Sequence, residues 1–275
     1  MEQYKSHAGS TSDRNVVSTA FGLSGWRMLA FVGALGLVFA ASQVFTASQA
    51  AAGDADVEIG NKLADMLRAG RNVVSSSQPL INDPNIGDKG FTGEKLVREA
   101  EAIYAKRVGS PLLASDLSAR DRRLLDAQIQ AMRRIVDVHQ ADINRPGVGF
   151  KGFIPAIFAR LVNEEFEAIA GSEARVRVTA PPDLVRNRKA RPDTWEKSIL
   201  ETKLLAADWP KGQPYTERVE FEGRTAFRML LPEYYGESCL TCHGGPKGET
   251  DITGYPKEGG EVGDLGGVIS IVIFQ

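Results

Sequence analysis

The sequence predicts an α+β protein in which helices come first and an antiparallel sheet follows. Amphipathic helical patterns, present in two copies, continue to about residue 172, and alternating strand-like segments follow Gly171. An uncharged apolar run near the N-terminus adds a membrane-directed segment. We therefore expect a helical repeat region at 54–172 and a sheet domain at 173–275.

The composition is that of an ordinary globular protein. Of the 275 residues, 43% are hydrophobic and 25% are charged, so a buried core is expected. The formal net charge of −2, from 33 basic and 35 acidic side chains, argues against nucleic-acid binding. Because the chain has only 2 cysteines and 3 histidines, any metal site must be built from few ligands.

No residue from Met28 to Gly53 is charged, so we expect this part of the chain to enter a membrane. Residues 26–47 can form a transmembrane anchor, which leaves residues 1–25 as a cytoplasmic tail. Small residues at 48–52 support the alternative of a cleaved signal peptide. The anchor is favoured because the stretch before the apolar run is long for a signal peptide. In both cases the remaining chain lies on the periplasmic side of the bacterial inner membrane.

Two segments of the helical region repeat each other. Residues 81–91 read INDPNIGDKGF and residues 143–153 read INRPGVGFKGF, which predicts two helical hairpins with four helices in all. The helix before the second loop has an amphipathic stripe and a cap at Asp116 or Ser118. The residues of that stripe are Leu125, Ile129, Met132, Val136 and His139. We interpret the repeated loops as structural turns rather than as a ligand site where the copies meet.

Four segments beyond Gly171 alternate between apolar and polar residues as strands do: 174–179, 216–221, 225–231 and 267–274. A tight hairpin turn at Glu222, Gly223 and Arg224 joins the second of these to the third. A helix that opens with Pro192 in its first turn and runs to about Ala207 is expected between the first two.

The sequence Cys239-Leu-Thr-Cys242-His243 has the C-x-x-C-H spacing that attaches c-type haem. Two thiols one helical turn apart suit the two vinyl groups of a porphyrin, and His243 follows as the proximal iron ligand. Gly244 and Gly245 then let the chain leave without crowding the ring. Structural zinc needs four ligands, and a thioredoxin-like pair follows a parallel strand; neither context is visible. We expect one covalent haem c.

The sequence does not decide which residue is the second axial ligand of the iron. Met229 lies on a predicted strand before Cys239, and His139 lies on the apolar stripe of a helix. Each is more often a core residue than a ligand, and a water-bound or open position is an equal alternative. Six-coordinate iron favours electron transfer, whereas an exchangeable position favours binding of a diatomic gas.

These motifs together resemble a family of bacterial c-type haem proteins of a domain-of-unknown-function class. The resemblance covers about residues 60–273 and depends on QPLIND at 78–83, GVGFKGF at 147–153, RNRKARPDTWE at 186–196, CLTCHG at 239–244, and GY at 254–255 with GGVISI at 266–271. It implies a PAS-like sheet that holds covalent haem, in proteins that stand alone or serve as periplasmic input domains of kinases and chemoreceptors. Cys239, Cys242 and His243 match the family's attachment motif.

Arg191 and Trp195 lie in one of the segments that carry this resemblance. We interpret Arg191 as a partner of a haem propionate and Trp195 as a ring that packs on the porphyrin. Helix capping and core packing are an equal alternative for both.

The expected function is electron transfer, or sensing of redox state or a diatomic gas, by a membrane-associated periplasmic haem protein. No output region follows the sheet, so we expect a redox partner or a separate signalling protein; a homodimer is also compatible with the sequence. The alternative is a haem enzyme acting on peroxide or nitrogen oxides. It ranks lower because only His139 could supply a distal imidazole, and no catalytic residue is assigned.

Overall fold

The structure, a computed structural model, describes the backbone from Val32 to Gln275 and the side chains from Gly53 on, except that of residue 54. The expected cytoplasmic tail at 1–25 and the first residues of the expected membrane segment at 26–47 lie outside the described residues. Within the part of the chain that is described, no helix is both long and apolar enough to cross a membrane. The chain from Gln49 to Gln275 forms one compact unit.

The helical part has the duplicated hairpins that the sequence predicts, with a short additional helix in each loop. Its helices are α1 (Val32–Ser76), α2 (Gln78–Ile81), α3 (Gly93–Val108), α4 (Ala119–Val138), α5 (Gln140–Ile143) and α6 (Pro155–Ala170). Both ends of α3 correspond to the ends of α6 at one offset of 62 residues, from 93 to 155 and from 108 to 170. Ser118, and not Asp116, caps α4 by accepting a hydrogen bond from the N–H of Asp121.

The two repeat loops are joined by crossed hydrogen bonds from equivalent side chains. Gln78 Nε2 donates to the carbonyl of Phe153 at 2.9 Å, and Gln140 Nε2 donates to the carbonyl of Phe91 at 2.8 Å. The asparagine of each loop likewise accepts a backbone N–H of the other loop. The polar residues that the repeats share therefore hold the two copies together, which supports the structural interpretation of these loops.

The sheet is antiparallel and contains every strand that the sequence predicts. Its strands are β1 (Ala174–Thr179), β2 (Tyr215–Phe221), β3 (Arg224–Tyr234) and β4 (Leu265–Phe274), in the order β1-β4-β3-β2. The β2–β3 hairpin turns at Glu222 and Gly223, whose φ angles are 53° and 75°. Two positive φ angles are typical of the type I′ turn, which matches the twist of the flanking strands.

The helix between β1 and β2 begins later than predicted. Asp193 caps α7 (Thr194–Ile199) in a capping box with Glu196, because each side chain accepts the other residue's backbone N–H. Pro192 therefore precedes the cap, and the prediction that it lies in the first turn is wrong. A π-helical turn at Leu200–Leu204 continues α7.

Both faces of the sheet are covered. One face packs against α1 and α6, in a core that includes Phe227, Met229 and Ile271 and continues into α3 and α4. On the other face, Leu230 and Val268 pack against α7 and the π-helical turn. The regions 54–172 and 173–275, which the sequence predicts as separate domains, share the first of these cores.

Candidate functional site

The C-x-x-C-H segment lies in the long connection between β3 and β4. A 3-10 turn at Glu237–Cys239 leads directly into α8 (Leu240–His243), so the two cysteines are in successive helical turns. A Cβ at Gly244 would lie 2.6 Å from the carbonyl oxygen of Leu240. A side chain at this position would clash with the backbone, so the chain needs glycine there to leave the short helix.

A carboxylate orients the imidazole of His243. Nδ1 of His243 lies 2.9 Å from Oε2 of Glu258, and the two side chains are 30% and 15% exposed. An ionised carboxylate can only accept a hydrogen bond, so Nδ1 must carry the proton. In the neutral ring, Nε2 then has a free lone pair, which is the electronic state that a metal ligand requires.

Tyr235 fixes the plane of the His243 ring. The ring centroids are 5.0 Å apart and the planes differ by 15°, so the two rings are stacked. A Cβ at Gly260 or Gly266 would approach carbons of the Tyr235 ring to 2.6 or 2.2 Å, so the phenol fits only because both residues are glycine. Burial, together with the charge of Glu258, raises the pKa of Tyr235 to about 12, and the phenol is neutral at physiological pH.

Arg186 joins the C-x-x-C-H segment to the loop that carries Glu258. Its Nε and Nη2 donate to the two carboxylate oxygens of Glu258 at 2.7 and 2.9 Å. The same guanidinium donates to Oδ2 of Asp251 at 2.6 Å and to the carbonyl of Cys242 at 2.8 Å. Arg186 is 19% exposed, so these charged hydrogen bonds are partly shielded from water.

These contacts keep both carboxyl groups ionised. Burial alone would raise the pKa of Glu258, but hydrogen bonds from Arg186 and His243 bring it below its usual value. Burial would also raise the pKa of Asp251, yet hydrogen bonds from Thr253, Arg186 and nearby backbone N–H groups lower it strongly. The site therefore holds two negative charges and one guanidinium at neutral pH.

Both cysteine thiols are free to form covalent bonds. Cys239 and Cys242 are half-buried, and neither is in a disulfide. Burial, and then the neighbouring Asp251, raise the pKa of the Cys242 thiol. No group of three or more His, Cys, Asp or Glu residues in the described chain could hold a metal ion by itself. A c-type haem would need fewer ligands from the chain than a free metal ion, because the porphyrin brings ligands of its own.

Arg191 and Trp195 are placed away from these contacts. Trp195 Nε1 donates to Oε2 of Glu217 at 2.7 Å, and the guanidinium of Arg228 lies 4.2 Å from the centroid of its ring. Arg191 is exposed. The described contacts of the two residues include none with the C-x-x-C-H segment, which is instead contacted by Arg186. Their roles toward a haem stay predictions.

Of the two candidate distal ligands, Met229 lies in the core between the sheet and the helices, and His139 is half-buried at the end of α4. Met229 is fully buried on β3, where its sulfur would lie 2.8 Å from a Cβ on Gly60 of α1. Tyr235 is six residues further along the chain, which in an extended strand is about 20 Å. His139 follows α4, and its Nδ1 lies 2.7 Å from the carbonyl oxygen of Ile135. Neither has a described contact with the C-x-x-C-H segment, and their ligation of iron stays a prediction.

A family profile described as Tll0287-like matches residues 112–273. The match covers more than half of the chain and includes the C-x-x-C-H segment and the residues that contact it. The chain belongs to the Tll0287-like family. This is a domain-of-unknown-function family, in agreement with that part of the resemblance seen in the sequence. Comparisons with curated proteins and with solved structures gave no significant match.

Within the Tll0287-like region, sequence reasoning missed the three residues that organise His243. Arg186 lies in the segment at 186–196, which carries part of the family resemblance, but this segment contains several arginines and no sequence pattern distinguishes them. Tyr235 could have been noticed only from the glycines that surround it in space. Glu258 comes 15 residues after His243 and returns through a small hairpin, which Gly248 and Lys257 close with a 2.9 Å backbone hydrogen bond.

Proposed function

We propose that this Tll0287-like chain is a c-type haem protein, with one porphyrin bound covalently through Cys239 and Cys242 and with His243 as the proximal ligand. One observation carries the proposal: the 2.9 Å hydrogen bond from Nδ1 of His243 to Glu258 leaves Nε2 free as a ligand. Two thiols that are free of disulfides precede this imidazole at the attachment spacing. The residues present thus fit the chemistry that a covalent haem requires.

The haem, when bound, supplies one-electron chemistry or a position for a diatomic gas. The chain's own residues orient and shield the ligand. Tyr235 and Glu258 fix the imidazole in plane and tautomer, while Arg186 holds the loop of Glu258 against the carbonyl of Cys242. Every member of this set has a partner within the chain, so the chain's own contacts hold the imidazole in place.

We also propose that the sheet and its connections form a PAS-like haem domain that acts through a separate protein. An antiparallel sheet in which the first strand pairs with the last supports the coarse plan of such a domain. Ile252 and Val262, on the connection that carries the motif, are 62% and 60% exposed. Exposed apolar side chains at this position could pack against a porphyrin or against a redox or signalling partner.

The proposal includes a location on the periplasmic side of the bacterial inner membrane. Covalent attachment of c-type haem takes place there, and the uncharged run from Met28 to Gly53 supports export and association with the membrane. Export would also explain why the two cysteines are used for thioethers, since thiols in that compartment otherwise tend to form disulfides.

The test is expression of the full chain in a bacterial host that matures c-type cytochromes. Haem that stays with the protein on a denaturing gel, and that is lost in the C239S/C242S variant, is the expected result. Colourless protein from the same host overturns the proposal.

Spectra of the ferric and ferrous forms, with and without CO or NO, then separate the possible roles. A spectrum unchanged by CO and NO indicates electron transfer, and rapid binding of either gas indicates sensing. Turnover of peroxide or nitrite would replace both with the enzyme alternative.

A further inference from the structure

We infer that Glu258 is a positioning residue that lowers the reduction potential of the haem by acting through the His243 imidazole. The inference rests on the proposed function and names the residue that regulates that site. It starts from the 2.9 Å contact between Nδ1 of His243 and Oε2 of Glu258. A carboxylate that accepts the Nδ1 proton increases the electron density of the ring, which makes Nε2 a stronger ligand.

The contacts of the imidazole favour one orientation. Tyr235 stacks on the ring at 5.0 Å between centroids, and Gly260 and Gly266 leave room for the Tyr235 ring. If the ring flipped, Nδ1 would lose its hydrogen bond to Glu258. The proton would then no longer be held on Nδ1, and the free lone pair would no longer be held on Nε2. Glu258 therefore fixes which nitrogen is presented as well as how strongly it binds.

The charge of Glu258 is not cancelled by its arginine. Arg186 donates to Glu258 at 2.7 and 2.9 Å, but it also donates to Asp251 at 2.6 Å. One positive charge faces two negative charges, so the cluster keeps a net charge of −1 beside the imidazole. Of the two lysines of this connection, Lys257 is paired with Glu249 at 2.7 Å, and Lys247 is exposed to water.

This net charge lies where water screens it weakly. The side chains of Glu258 and Asp251 are 15% and 0% exposed, so water screens their field less than it screens the field of an exposed charge. Ferric haem carries one positive charge more than ferrous haem. A buried negative charge that is coupled to the axial ligand therefore stabilises the ferric form and lowers the potential.

The test is a redox titration of the haem-bearing full chain and of two glutamine variants. E258Q keeps the shape and a hydrogen-bond acceptor but removes the charge. E261Q removes an exposed carboxylate of the same connection that has no described contact with the imidazole. Loss of a partner of a metal ligand typically changes metal affinity or activity by tenfold or more. We expect E258Q to shift the ferric-to-ferrous ratio about tenfold toward ferrous, which raises the midpoint by about 59 mV.

A second readout is the iron–histidine stretching frequency of the ferrous protein, which a purely structural role of Glu258 would not change. We expect it to fall in E258Q and, like the midpoint, to stay unchanged in E261Q. Equal potentials and frequencies in haem-bearing wild type and E258Q overturn the inference and leave the proposed function intact. A wild-type chain that attaches no haem overturns the proposed function, and the inference with it.

If E258Q does not accumulate, nitrogen NMR of the wild-type full chain made without haem replaces it. The spectrum of His243 at neutral pH reports which nitrogen carries the proton. A protonated Nδ1 with an unprotonated Nε2 is expected. The opposite tautomer overturns the inference, because Glu258 would then not receive the imidazole proton.

Discussion

Replacing Arg186 with alanine removes the one cation that binds both buried carboxylates of the site. In the wild type its guanidinium makes two hydrogen bonds to Glu258, one to Asp251 and one to the carbonyl of Cys242. Asp251 is 0% exposed and Glu258 is 15% exposed, so water cannot replace the lost partner fully. Removing one member of a buried ion pair costs about 3 to 5 kcal/mol. We expect R186A to lower the free energy of unfolding by an amount in this range at pH 7.

The effect of R186A should depend on pH in a defined direction. The pKa values of Asp251 and Glu258 are lowered in the folded protein, partly by Arg186. Carboxyls of this kind contribute stability above their unfolded pKa values of about 4, and the contribution is lost as pH falls through the folded values. The difference between wild type and R186A should therefore be largest near neutral pH and shrink in acid.

Urea unfolding of the two proteins at neutral and acid pH measures both quantities. The matched control is R160A, which removes the pair that Arg160 makes with Glu164 at 3.0 Å on α6, where the side chains are 34% and 44% exposed. Such a pair within one helix contributes about 0.3 to 0.5 kcal/mol. A loss in R186A no larger than in R160A, or one independent of pH, would refute the reasoning.

Three further predictions concern the packing of the fold. G266A should lower the free energy of unfolding by about 1 to 3 kcal/mol, because its Cβ would lie 2.2 Å from the Tyr235 ring. G236A is the control, since a Cβ at that position meets open space. Equal urea midpoints of G266A and G236A would contradict the packing argument. Q140A should cost about 1 to 3 kcal/mol in the same assay, because the Phe91 carbonyl loses its donor and Nδ2 of Asn144 loses its acceptor. An unchanged midpoint would show that these bonds do not hold the two loops together. Tyr235 should ionise near pH 12 in an ultraviolet titration. Its contribution to stability is therefore complete below the unfolded pKa of about 10 and is lost as pH rises toward 12. If the absorbance change near pH 12 were the same in Y235F, the assignment to Tyr235 would be contradicted.

The fold could largely be predicted because its signals are local. The duplicated loops and the alternating segments recur over short stretches, and the structure has helices and strands at these places. The start of α7 was missed because two adjacent signals compete: Pro192 favours a first helical turn, but Asp193 and Glu196 together form a capping box. The sequence could not show that the repeats and the sheet share a core, because that depends on contacts between distant segments.

The candidate site divides in the same way. The C-x-x-C-H spacing is contained in five residues, so His243 and both cysteines could be named from the sequence alone. The residues that orient His243 could not be named from the sequence, because Arg186 is 72 residues from its partner Glu258. The sequence singles out Arg191 but not Arg186, because a single sequence does not reveal which arginine of a segment contacts the motif; the role of Arg191 toward a haem stays a prediction.

The proposed function depends on a covalent bond from haem to Cys239 and Cys242. Mass spectrometry of a proteolytic peptide that contains residues 239–243, from the full chain matured in a cytochrome-producing host, detects this bond. We expect a wild-type peptide heavier by one haem, and a peptide without this addition from the C239S/C242S variant. An unmodified wild-type peptide with two free thiols would show that no haem is attached.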